Sequence, residues 1–158
     1  DETNVAEDAP TGSRVDGNTY NVYPGQTVTK DPIVHNTGRN AAYIRATVTV
    51  SNWATLSKEL YPNVALADTL KELVGSFGEG WSVVGAAADK SGAVTFTLKY
   101  DRQLAASADT APMFQQVTVP AGLENENASS FKTMTVQAQA IQADGFTTWN
   151  AAFAAFDK

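Results

Sequence analysis

Apolar and polar residues alternate over long stretches of this chain. From Ala42 to Val50, Ile44, Ala46, Val48 and Val50 fall on one face, and Tyr43, Arg45, Thr47 and Thr49 on the other. A period of two is the signature of an antiparallel strand with one buried face. Val94, Phe96, Leu98 and Tyr100 alternate with Thr95, Thr97 and Lys99 in the same way. The Asp89-Lys90-Ser91-Gly92 turn joins that strand to one over residues 81–88 as a hairpin. Residues 132–141 alternate Met134, Val136, Ala138 and Ala140 with Thr133, Thr135, Gln137 and Gln139; residues 114–119 form a further strand closed by Pro120-Ala121-Gly122. Nearer the start, Val22-Tyr23 runs as a strand into a Pro24-Gly25 turn. Residues 26–36 read as another strand, which Pro32 confines to a sheet edge or a bulge because it has no N–H for a ladder.

The period lengthens twice. Leu70, Leu73, Val74 and Phe77 recur at helical spacing within a helical insertion near residues 66–77. There Thr69-x-x-Glu72 fits a capping box, and Gly78 and Gly80 fit the stop. Trp149, Phe153 and Phe156 share one face of a helix near residues 149–156, with Thr148 placed as its N-cap. Residues 1–19 are polar apart from Val5 and Val15 and read as a flexible arm ahead of a β domain over 20–158. The expected fold class is all-β, an antiparallel β-sandwich with short helical insertions.

Composition narrows the function. The 158 residues carry 11 Lys and Arg against 17 Asp and Glu, a net charge of −6. The basic residues are scattered, so no nucleic-acid partner is expected. Cysteine is absent, which excludes disulfides, thiolate metal sites and thiol catalysis. No apolar run is long enough for a membrane span. The opening Asp1-Glu2-Thr3-Asn4 fits a processed N-terminus or an arbitrary boundary.

Catalytic chemistry finds few residues to use. His35 is the only histidine, so an H-E-x-x-H zinc helix is impossible and no second His is available for a zinc site. No G-x-S-x-G elbow or calcium loop occurs. The glycine-rich run from Gly75 to Gly80 lacks the Lys-Ser/Thr of a phosphate loop. Glu124 and Glu126 sit in a polar loop beside an Asn127-Ala128-Ser129 sequon, with nothing to raise a carboxyl's pKa. Trp53, Trp81 and Trp149 are candidates for a sugar platform, although each stands at an element boundary where tryptophan usually seals a core. We expect no enzyme, no cofactor and no metal.

One stretch carries a resemblance. Residues 22–50 contain Tyr23-Pro24-Gly25-Gln26, Lys30-Asp31-Pro32, Asn36-Thr37-Gly38 and Tyr43-Ile44-Arg45. With the run from Val136 to Phe146 ahead of the Trp149 helix, this resembles the TasA/camelysin family of exported proteins, processed by a signal peptidase of the SipW type. The resemblance implies a jelly-roll-like sandwich, secretion by a Gram-positive bacterium and assembly into extracellular biofilm fibres. The polymer would run head to tail: the N-terminal arm of one copy adds a strand to the next, with Val5, Ala6, Ala9 and Val15 as its apolar contacts. Other matrix proteins or polysaccharide are further partners. Part of the family is described as metallopeptidase, an activity for which His35 has no companions at ligand spacing; a carbohydrate-binding surface module is the other alternative. A Lys–Asn or Lys–Asp cross-link would strengthen such a fibre, but the sequence does not choose the lysine.

Overall fold

A computed structural model describes residues 1–123 and 131–158. Glu124, Glu126 and the Asn127 sequon lie outside the described residues. In chain order the strands are β1 (Glu2–Thr3), β2 (Arg14–Val15), β3 (Thr27–Thr29), β4 (Ala42–Val50), β5 (Trp81–Ala88), β6 (Val94–Tyr100), β7 (Gln116–Thr118) and β8 (Met134–Gln142). The helices are α1 (Trp53–Leu60), α2 (Thr69–Val74), entered through a 3-10 turn at Leu66–Asp68, and α3 (Trp149–Phe156). All strand pairs are antiparallel. A four-stranded sheet has the order β5-β6-β4-β8, and β1-β2 and β3-β7 form two-stranded ribbons. The chain is therefore mostly antiparallel β-sheet with a few short helices.

The alternation in β4 and β6 places the core. Val48 lies opposite Phe96 and Ala46 opposite Leu98, and all four are buried. Met113, Phe114, Val117 and Val119 close over this inner face from the β7 side, while Trp53, Leu56, Leu70, Leu73 and Val74 close it from α1 and α2. Trp53 donates its indole N–H to Thr69 Oγ1, and that hydroxyl donates to the Leu66 carbonyl.

This bond corrects the capping box expected at Thr69. The helix N-cap is Asp68, without a side-chain cap bond, because the Thr69 hydroxyl is committed to the core. The helix also stops before Gly78: Gly75 takes the C-cap position at a positive φ of 75°. Gly78 has a different duty, since a Cβ there would lie 1.9 Å from the Pro112 carbonyl oxygen.

Three strand expectations also change. Val22-Tyr23 forms no strand, although the turn after it holds: Gln26 N–H donates to the Tyr23 carbonyl. Of residues 26–36 only Thr27–Thr29 joins a regular ladder, and of residues 114–119 only Gln116–Thr118. Beyond β3 the chain runs on with its bonds divided among several partners.

Candidate functional site at the open sheet edge

β8 pairs with β4 in unbroken register, from Ala42 opposite Gln142 to Val50 opposite Met134. Among the described residues its other side has no ladder partner. An unpaired edge presents a row of N–H and C=O groups that a further strand can meet. The inward alternation of Met134, Val136, Ala138 and Ala140 continues the core face, but Ala138 and Ala140 are exposed. Three clefts follow one another along this strand. The largest, about 460 Å³, is lined by Val28, Val117, Phe131 and Met134 among others. The next, about 320 Å³, runs past Met113, Val136 and Ala138, and the last, about 280 Å³, past Val34, Ile44 and Ala140.

Residues 30–36 form the far wall. On one side Met113 N–H donates to the Pro32 carbonyl, and Thr110 and Val34 exchange bonds. On the other side lies the N-terminal leader. Ile33 N–H donates to the Asp1 carbonyl at 2.9 Å, and the terminal ammonium donates to the Ile33 carbonyl at 3.3 Å.

Here the structure departs from the flexible arm expected for residues 1–19. The leader folds into the β1-β2 hairpin, with Glu2 opposite Val15 and Thr3 opposite Arg14, and docks on its own molecule. Polar contacts replace the missing apolar ones. Glu2 is only 3% exposed. It accepts from Lys30 Nζ at 2.6 Å, from Asn18 Nδ2 at 2.9 Å and from Asn18 N–H at 3.1 Å. Asp31 accepts from the Thr3 N–H at 2.6 Å and the Thr3 hydroxyl at 2.7 Å, and Arg14 bridges Asp1 and Asp31. Burial pushes the Asp31 carboxyl up, but the Thr3 bonds and the Arg14 charge outweigh it and hold the group below its ordinary range. The Tyr20 phenol is pushed up, first by burial and then by the neighbouring Glu2 charge.

The proposed donor residues lie away from the core. Val5 and Ala6 are exposed in the hairpin loop, Ala9 is half-buried, and Val15 is half-buried in β2. The motif residues divide by role. Lys30 and Asp31 anchor the leader, and Pro32 is buried beside them. Tyr23, Pro24, Gly25 and Gln26 form the turn whose Gly25 N–H meets the Val119 carbonyl. Asn36 holds a loop together, its Nδ2 donating to the carbonyls of Asn40, Leu104 and Ala105 while Oδ1 accepts from Gly38 N–H. Tyr43 accepts from Gln103. Arg45 forks onto both Asp157 oxygens, with its guanidinium 4.5 Å from the Phe153 ring centre. These two brace α3 on the sheet's outer face.

Other candidates find less support. His35 Nδ1 is bonded to Asp109, yet no hydroxyl is bonded to the other ring nitrogen among the described residues. No group of three or more His, Cys, Asp or Glu suited to a metal occurs among them either. Trp53 and Trp81 are buried, and Trp149 is half-buried with its N–H on the Ile44 carbonyl. Two of the three rings thus offer no face to a sugar. No helix among the described residues is long and apolar enough to cross a membrane.

Sequence reasoning overlooked Glu2, Arg14 and Asn18 because isolated polar residues in a polar leader carry no periodic signal. Comparison with family models, curated proteins and solved structures finds no match for this chain.

Proposed function

We propose that this protein is a structural subunit of extracellular biofilm fibres, a jelly-roll-like sandwich that polymerises head to tail. The leader of one copy leaves its own docking site and adds beside β8 of the next. The observation that carries this reading is an open, regular edge with a short-laddered leader beside it: β8 is unpartnered on one side among the described residues, and the leader stands across the adjoining cleft. Both Asp1-Glu2 and Val136-Ala138 line that cleft. The leader's own ladder is only two residue pairs long, so a longer ladder along β8 is an exchange for better pairing. Main-chain bonds supply the affinity in such strand addition, and side chains entering the clefts supply the register. Each bond contributes about 0.5–1.5 kcal/mol net. Ordering a free chain costs about 1–2 kcal/mol per residue. A leader that is already ordered on its own body loses less on transfer than a free arm would.

The test is removal of residues 1–13. The truncated chain is expected to stay folded by circular dichroism and to form no filaments on negative-stain grids at concentrations where the full chain does. Filaments of normal appearance from the truncated chain would show that the leader is not the donor.

A further inference from the structure

Lys30, Glu2 and Asn18 form a constellation that a structural ion pair does not need. One carboxylate holds an amine on one oxygen and a primary amide on the other: Lys30 Nζ lies 2.6 Å from Glu2 Oε2, and Asn18 Nδ2 lies 2.9 Å from Glu2 Oε1. The side chains of Lys30 and Glu2 are 12% and 4% exposed. The amide is oriented too. Its nitrogen points at the carboxylate and at the Thr3 carbonyl, and its oxygen accepts the Val5 N–H at 3.1 Å.

These are the parts of an acyl-transfer site, with a nucleophile, an acid–base group, an electrophile and a donor on the developing oxyanion. We propose that Lys30 and Asn18 join in an intramolecular isopeptide bond, with Glu2 as the proton carrier. In the first step one proton moves from the Lys30 ammonium to Glu2 across their 2.6 Å contact, leaving a neutral amine and a neutral carboxyl. The free Nζ attacks Asn18 Cγ and forms the new C–N bond. Charge gathers on Oδ1, where the Val5 N–H meets it. Glu2 passes its proton to Nδ2 and takes the second proton from Nζ. The Cγ–Nδ2 bond breaks and ammonia leaves, carrying off the proton held by Glu2 as ammonium. The balance is one ammonium side chain and one amide in, one secondary amide and one ammonium ion out. Nothing is oxidised or reduced.

The position of the bond is informative. It ties the base of the leader to the cleft wall at Lys30 and leaves residues 1–17 outside the closed loop. Glu2 is needed in place only while the bond forms; afterwards the tip can depart and the base cannot. The lysine that the sequence left unchosen is thus Lys30, in a bond within one copy.

Intact-mass spectrometry of the denatured full-length chain tests this directly. The expected monomer is lighter than its sequence by one ammonia, and a digest contains a branched peptide linking Lys30 to Asn18. Glu2→Gln keeps the size and polarity of the carrier but cannot relay the proton, and should restore the full sequence mass. Asn18→Asp should lose one water in place of ammonia if it reacts, with Lys30 still in the branch. A native chain at full sequence mass overturns the proposal, as does a branch at any other lysine or a link found only between copies. Filaments do not enter the readout, so the fibre reading is judged separately: Glu2→Gln chains that polymerise at full mass would sustain that reading without the bond.

Discussion

The central sheet has two edges, and they are finished differently. At β5 the register slips: Val83 faces Leu98 and Gly85 faces Thr97, leaving Val84 as an extra residue, 51% exposed. The bulge lets Trp81 and Val83 share a face with Ala86 and Ala88, and it twists the margin away from a flat template. The end of this strand is sealed as well, by Trp81 against Tyr100 at 5.1 Å between ring centres and by the Trp81 indole on the Ala111 carbonyl. At β8 none of this occurs. Nine residues run in register without a slip, the inner row narrows from Met134 and Val136 to Ala138 and Ala140, and clefts lie alongside. Natural sheets blunt the edges that must stay unpaired. One edge here is blunted and the other is not, and the proposed assembly at β8 rests on that contrast.

The largest expected effect comes from putting the same charge on each edge. Ala138→Arg on β8 places a guanidinium where an added strand must pass, and filaments should disappear. Because Ala138 is exposed, the monomer's stability should move by no more than about 0.5 kcal/mol. Val84→Arg on the β5 bulge should leave filaments unchanged. Grids and denaturant melts of the two variants check both halves, and filaments lost only with Val84→Arg would transfer assembly to the β5 edge.

The contrast also marks what could be read from residues alone. β4 and β6 were legible because their apolar residues alternate strictly and one face is buried, so the pattern and the burial agree. The α3 helix was legible through Trp149, Phe153 and Thr148, whose Oγ1 accepts from Ala151 N–H. That β8 is an edge was not legible, since Met134, Val136, Ala138 and Ala140 alternate as an interior strand would; strand order depends on pairing over long separations. The leader was illegible for another reason. Its docking rests on Glu2, Thr3, Arg14 and Asn18 meeting Lys30 and Asp31, an ionic and hydrogen-bonded fit that leaves no apolar periodicity. Lys30 and Asp31 stood out in the sequence only as part of a motif, and their partners did not.

An intermediate effect separates the two edges by pH. Asp31 is held below the ordinary carboxylate range when folded, so its contribution is fully present above the unfolded value and is lost as pH falls through the folded one. Its bonds to the Thr3 N–H and Arg14 are of the charge-assisted kind, about 1.5–3 kcal/mol each. The protection of the Thr3 amide relative to its intrinsic exchange rate should therefore fall on acidification through that range while β4 amides stay protected. Asp101, near the end of the β5-β6 pair, is also lowered, chiefly by hydrogen bonding from Arg102. Arg102 also reaches Glu79 in the turn before β5, but all three side chains are exposed and make no bond within the strand, so exchange in β5 should not follow that titration. Asp31→Asn should leave Thr3 weakly protected relative to its intrinsic exchange rate, with little dependence of that protection on pH; an acid step in protection that survives in that variant would assign the clasp to another group.

The smallest effect asks what makes the β5 bulge. If glycine's conformational freedom created it, replacing Gly85 would be costly. Yet Gly85 is not among the residues at positive φ, and a Cβ built on it meets nothing within 4 Å. Alanine fits there, and the loss of unfolded-state freedom should stabilise the chain by about 0.4–1 kcal/mol. The slip would then belong to the side chains around it, with Val83 and Ala86 both drawn to the inner face across one residue too many. A denaturant melt of Gly85→Ala decides the matter. A gain in midpoint at unchanged slope means that packing built the blunted edge, and a loss means that the glycine did.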